Sequence, residues 1–252
     1  MTFELPFPRT AIVTGGARRI GAEMVRALAA DGWDVLIHCH QSCADSEALA
    51  AEVARARIAV ADLSVVDPCQ PIRAALADMP PPGLLVNNAS RFVHDDFSDF
   101  TIEGWAAHFD VNLRAPALLS RMFAELAGEG GVIVNMLDAK LAFPNPDFFS
   151  YTLSKMSLAG LTEITARVLA ARKIRVCGIA PSVTLVSGPQ SRDNFEKVHA
   201  RNALARGVDV SEIVAALRFI LATPTLTGQT IMIDGGQRFL GLSRDVQFLE
   251  TE

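Results

Sequence analysis

The stretch Thr10-Ala11-Ile12-Val13-Thr14-Gly15-Gly16-Ala17-Arg18-Arg19-Ile20-Gly21 decides the fold. Residues 10–14 form a short β-branched run of strand length, the glycines mark a tight turn, and over 20–31 apolar residues recur at helical spacing. A strand, a glycine turn and a helix N-terminus in that order aim backbone N–H groups at one point, which suits the pyrophosphate of a dinucleotide. The plain alternative for the same glycines is a tight turn with no ligand.

Outward from this unit the pattern repeats. Strand-like runs at 34–38, 58–61, 84–86, 132–136, 175–179 and 230–233 alternate with helical spacing at 20–31, 44–55, 71–78, 103–126, 149–171 and 211–222. The alternation is that of βαβ units, and apolar runs of this kind suit strands buried on both faces of a parallel sheet. The sequence therefore predicts a single α/β domain over 1–252, a Rossmann-type doubly wound sheet of seven parallel strands with helices on both faces. Two segments fall outside the alternation: 137–148, with Pro144 and Pro146, and the longer 181–208. Both leave the carboxyl ends of strands, where open sheets of this type bind ligands, and 181–208 is expected to be a substrate-binding loop.

Composition narrows the function. The 252 residues are 50% hydrophobic and 20% charged, enough for one large core. A net charge of −5 gives no electrostatic footprint for nucleic acid. The four cysteines are scattered and form no CxxC pair, so a reducing compartment fits. No secretory signal pattern opens the chain and no apolar run reaches the roughly 18 residues of a membrane span, so a soluble cytoplasmic protein is expected.

The second strand ends in His38-Cys39-His40-Gln41-Ser42, with no acid to hydrogen-bond the free 2′-hydroxyl of NAD. With Arg18 nearby and His40 and Ser42 able to donate to a phosphate, NADP is the expected cofactor; Asp45 leaves NAD possible. Two histidines flanking Cys39 share a strand face, but no further ligand accompanies them, and no metal is expected. Asp62-Leu63 and Asn88-Ala89-Ser90 stand at the next strand ends, placed to meet an adenine edge and a ribose.

Tyr151, the only tyrosine, precedes Lys155 by four residues, so both side chains share one helix face. An ammonium beside a phenol lowers the phenol's pKa and makes it a usable acid or base near neutrality. Lys155 can also hold the nicotinamide ribose.

Gly15, Gly21, Asn88, Asn112, Tyr151 and Lys155, in this order, resemble the short-chain dehydrogenase/reductase family over nearly the whole chain. The resemblance implies Ile20 and Pro181-Ser182-Val183 as further cofactor contacts, Asn112 as a water-holding support, and a homotetramer or homodimer joined through the helices at 103–126 and 149–171. Three positions depart from the common pattern, one of them Ser182 at the sixth strand's exit, where the broader family usually has glycine. Arg19 replaces the middle glycine of the turn, and Asp138 stands thirteen positions before the tyrosine, where most members have serine. An ionised Asp138 would repel the oxyanion of a ketone under reduction, so either Asp138 is protonated or the acceptor is not a carbonyl. A C=N bond satisfies the second case, because its nitrogen needs a proton that Asp138 and Tyr151 can relay.

Gly-Ala-Arg-Arg-Ile-Gly, His-x-His-x-Ser, Asn-Asn-Ala-Ser-x-Phe and Asn-Met-x-Asp-Ala are similar to the pteridine reductase branch, which includes the bacterial dihydromonapterin reductases. That likeness implies Arg19, Ser90, Phe92, Asp138 and Tyr151 as substrate contacts, with Phe92 a flat platform for the ring. Gln41 departs from it, standing where some members have a phosphate-binding arginine. The expected activity is NADPH-dependent reduction of a small pterin-like molecule; an ordinary carbonyl or alcohol oxidoreductase and a catalytically silent NADP-binding regulator are the alternatives. The apolar tail 239–252, with Phe239, Leu240 and Phe248, is expected to dock on a neighbouring subunit or to close the substrate mouth.

Overall fold

The computed structural model describes residues 6–187 and 190–249. Seven strands, β1 (Thr10–Val13), β2 (Asp34–Cys39), β3 (Ala56–Val60), β4 (Leu84–Asn87), β5 (Gly131–Met136), β6 (Ile174–Pro181) and β7 (Thr230–Ile233), form one sheet in the order β3-β2-β1-β4-β5-β6-β7. Every pairing is parallel. The order reverses between β1 and β4, and this switch point opens the crevice in which such sheets bind ligands.

Alternation along the strands divides the core. Val13, Ile37, Val86 and Val134 face α1 (Arg19–Ala30) and α8 (Val210–Ala222) through Met24, Leu28, Ile213 and Leu217. Ile12, Leu36, Leu85 and Ile133 face α3 (Cys69–Leu76) and α5 (Ala115–Ala127) through Ile72, Leu119 and Phe123. The five inner strands are buried on both faces as the apolar runs predict, while the two edge strands, β3 and β7, stay partly exposed. The short α2 spans Cys43–Glu52. Among the described residues no helix is long and apolar enough to cross a membrane.

Two segments differ from the sequence reading. The helix expected over 103–126 is present but irregular: α4 (Ile102–Phe109) runs through a π-helical turn, Asp110–Arg114, into α5. Pro116 lacks an N–H for the regular ladder, and Asn112 within the turn is bonded to Arg91 and Ser154, both distant in sequence. The loop expected over 181–208 contains α7 (Arg192–His199), whose first turn is capped by Ser191 Oγ accepting from the Asn194 N–H at 3.1 Å. The long α6, Phe149–Leu169, follows its prediction closely.

Gly21 shows how tightly the first unit is built. A Cβ there would lie 2.2 Å from the Gly15 carbonyl oxygen and 2.7 Å from Asn88 Nδ2. Gly21→Ala is therefore expected to cost about 1–3 kcal/mol, read as a lower midpoint of thermal unfolding. It should also weaken dinucleotide binding, measured by fluorescence titration.

Candidate active site

The glycine turn is held from three sides. Thr14 Oγ1 accepts from the Asn88 and Ala89 N–H groups at 2.9 and 3.0 Å, and Asn88 Nδ2 donates to the Thr14 and Gly15 carbonyls. The Asn88 side chain thus braces the turn. His38, buried on β2, accepts from the Gly15 N–H at Nδ1 (3.1 Å) and donates from Nε2 to the Ala61 carbonyl (3.0 Å). Both ring nitrogens are used by the neutral ring, and burial lowers its pKa to about 4.

A measurable pH effect follows from His38. The unfolded ring binds a proton near pH 6.5, the folded one only near 4, so stability is full above 6.5 and falls as pH drops through that window. The loss is expected to reach about 3 kcal/mol. His38→Asn, which keeps an acceptor for Gly15 without titrating, should flatten this limb in denaturant unfolding series at pH 4 to 7.

Arg19 adopts φ +56°, the left-handed conformation for which glycine is the usual choice, which explains why its position commonly holds glycine. Its guanidinium donates to the Val186 carbonyl and to Ser187 Oγ, tying the turn to the segment after β6. Arg18 pairs with Asp45, and the two residues weighed for opposite cofactors are engaged with each other. His40 lies 3.8 Å from Asp62, whose carboxylate also accepts from Ser64, while Gln41 is exposed. Leu63 is buried among core side chains, so its side chain is structural.

From the turn a cavity of about 600 Å³ runs to the ends of β5 and β6. Gly15, Arg18, Arg19, Ile20, Gly21 and Ser42 line one end; Asn88, Ala89 and Ser90 lie along it; Phe92, Asp138, Tyr151, Lys155 and 181–183 line the other. His40, Gln41, Asp62 and Leu63 are outside its walls. Among the described residues no group of three or more His, Cys, Asp or Glu is placed to hold a metal.

At the catalytic end Tyr151 Oη donates to Asp138 Oδ2 at 2.7 Å. The second oxygen of Asp138 accepts from the Lys140 N–H, and burial raises this carboxyl above the usual carboxylate range. Lys155 Nζ donates to the Met136 carbonyl at 2.7 Å, and burial lowers its pKa to about 8. The expected lowering of the tyrosine pKa is overturned: burial and the Asp138 carboxylate raise it well above its ordinary value, and the phenol stays protonated. Asn112 is held by neighbours within the chain. Its Nδ2 donates to the Arg91 carbonyl and Ser154 Oγ, and its Oδ1 accepts from the Arg91 N–H and Ser90 Oγ, so the side chain is saturated and ties the segment after β4 to α6.

Aromatic rings form the wall of the mouth. Phe92 stacks on Phe148 at 4.2 Å between centroids and meets Tyr151 edge-on at 4.7 Å. Phe148, at φ +55°, is followed on its other side by Phe248 of the tail, 5.8 Å away. Of the tail expected over 239–252, the part within the described residues lines the mouth of its own chain through Asp245 and Gln247, and 250–252 lie outside the described residues. Arg244 and the Asp245 N–H bind the buried Asp147, and Lys140 Nζ binds Asp245 at 2.9 Å. Phe239 and Leu240 stay exposed.

The family model described as enoyl-(acyl carrier protein) reductase matches residues 15–238. The chain belongs to the short-chain dehydrogenase/reductase family. It is an oxidoreductase of that family. It is 30% identical to pteridine reductase 1 of Leishmania tarentolae, across 92% of this chain and 96% of the relative. It is 31% identical to L-xylulose reductase of Mesocricetus auratus, across 90% and 96%. Among solved structures it is similar to FolM alternative dihydrofolate reductase 1 from Brucella canis complexed with NADP, at 37% identity and a TM-score of 0.87, covering 91% of this chain and 94% of that one. These findings bear out the family resemblance and its pteridine reductase branch.

Sequence reasoning on this short-chain reductase missed His38 as the brace of the glycine turn, and Lys140, Asp245 and Gln247 at the mouth. His38 had a visible signal, a polar residue inside an apolar strand. The mouth residues had none, because only the tail's path brings them to the site.

Proposed function

We propose that this chain is an NADPH-dependent reductase of a pterin-like heterocycle, acting on a C=N bond. The observation that carries the reading is the Tyr151–Asp138 hydrogen bond, a phenol backed by a buried carboxyl where a serine would serve a ketone.

The cofactor end fits NADPH. No side chain caps the N-terminus of α1 and no acid lies in its first turn, so its free N–H groups suit a pyrophosphate. β2 ends without an acid, and Arg18 and Ser42 line the wall there. Crystallised relatives with NADP or NADPH, including the Brucella canis protein, support the same cofactor. When bound, the nicotinamide supplies a hydride.

The chain's own residues supply the proton. Tyr151, kept neutral, gives its Oη proton to the substrate nitrogen. Asp138, raised by burial, is the reservoir: once protonated, its O–H donates to Tyr151 Oη and frees the phenolic O–H for the substrate. Lys155 has two N–H donors beyond the one spent on Met136, available for a ribose hydroxyl. Phe92 offers a flat ring to a flat substrate.

Steady-state NADPH oxidation tests this with dihydrobiopterin, dihydromonapterin and dihydrofolate against a panel of ketones and L-xylulose. Turnover of the heterocycles supports the reading; turnover confined to carbonyls replaces it with the second one, which the raised pKa of Asp138 favours because a neutral carboxyl can donate to an oxyanion. α6 exposes Met156, Ile164 and Val168, which supports assembly into dimers or tetramers, testable by light scattering.

A further inference from the structure

We propose that the C-terminal tail supplies the recognition edge of this site, with the Asp245 carboxylate and the Gln247 amide pairing with the amino and ring N–H groups of an aminopyrimidine. The inference rests on the heterocycle reading above and narrows it to rings carrying that donor edge.

Asp245 and Gln247 line the same cavity as Asp138 and Tyr151. They are held there by contacts within the chain: Lys140 Nζ on Asp245, Arg244 on Asp147, and Phe248 against Phe148 and His94. A wall fixed this way is preorganised for a ligand. Asp245 Oδ2 accepts from Lys140 and Oδ1 from the Gln247 N–H at 3.2 Å, and each oxygen keeps a second lone pair. The backbone N–H and C=O of Gln247 are spent on Asp245 and Asn194, whereas its side-chain amide has no hydrogen-bond partner among the described residues.

A carboxylate in a half-buried wall selects for donors, because a ligand without them leaves its oxygens desolvated and unpaired. Two N–H groups side by side on a planar ring match a carboxylate's two oxygens, and Phe92 in the same cavity favours a flat ring over a flexible polyol. The amide of Gln247 can complement a neighbouring ring carbonyl or nitrogen.

The test compares kcat and KM for a dihydropterin and its 2-deamino analogue in the unaltered chain, Asp245→Asn and Gln247→Ala. The unaltered chain is expected to favour the 2-amino substrate at least about tenfold in kcat/KM. Asp245→Asn should raise KM for that substrate about tenfold, leave kcat within about twofold and erase the preference. A purely structural role for the tail would slow both substrates alike, and that result overturns the proposal. Gln247→Ala leaves every ion pair of the tail in place and keeps the question open to experiment if Asp245→Asn fails to fold; a preference unchanged in it would then decide against the tail. No turnover of any pterin by the unaltered chain overturns the heterocycle reading and this inference together. Good pterin turnover with an undiminished preference in the variants overturns only the role of the tail.

Discussion

Tyr151→Phe is expected to lower kcat for the heterocyclic substrate by about 10²–10⁴-fold while NADPH affinity changes little. The substitution removes only Oη, the atom that donates to Asp138 at 2.7 Å and to which the proposed mechanism assigns the proton for the substrate nitrogen. The ring stays, so its edge-on packing against Phe92 is kept. Stopped-flow hydride transfer and fluorescence titration of NADPH separate the two effects. Residual turnover within tenfold of the unaltered chain would remove Tyr151 from the proton path and leave Asp138 or solvent as donor.

The second large effect belongs to Asp138. Asp138→Ser is expected to cut pterin turnover by about 10²-fold or more, because a serine hydroxyl cannot reload the phenol as a buried carboxyl can. Turnover of a ketone, if the chain has any, should hold or rise, since a serine donates to an oxyanion that an ionised aspartate repels. The pH profile gives an independent reading. Burial raises the Asp138 pKa, so the protonated reservoir persists to higher pH than for a free carboxyl and is lost as pH rises through the raised value. kcat should therefore fall on the alkaline side of that value in the unaltered chain, and the step should vanish in Asp138→Ser. A profile that rises with pH through the same range would assign Asp138 the role of a base. The same burial has a stability sign: the folded state holds the proton more tightly than the unfolded one, so this carboxyl costs stability once pH exceeds its ordinary value.

Local rules made much of this legible in advance. The β-branched runs, the glycines at 15, 16 and 21 and the four-residue spacing of Tyr151 and Lys155 act within one or two turns of chain, where periodicity carries the information. What escaped depends on contacts distant in sequence. The π-helical turn at Asp110–Arg114 goes with Asn112 reaching Arg91 and Ser154, twenty-one and forty-two residues away. The tyrosine pKa moved opposite to expectation because spacing puts Lys155 on the right helix face but says nothing of Met136, whose carbonyl takes the ammonium, or of the burial around the phenol. α7 is a different case. Ser191 before Asp193 and Asn194, with Lys197 and His199 at the far end, is a readable cap and dipole pattern in a segment that its prolines and glycines made look irregular.

The tail has a consequence for mixed assemblies. Because Lys140, Asp147 and Phe148 receive residues 244–248 of the same chain, the tail's share of each mouth comes from within the protomer. However many copies associate, they should count independently. Assemblies reconstituted from unaltered chains and Tyr151→Phe chains in varying proportion are expected to lose activity along a straight line, with one dead copy silencing one site.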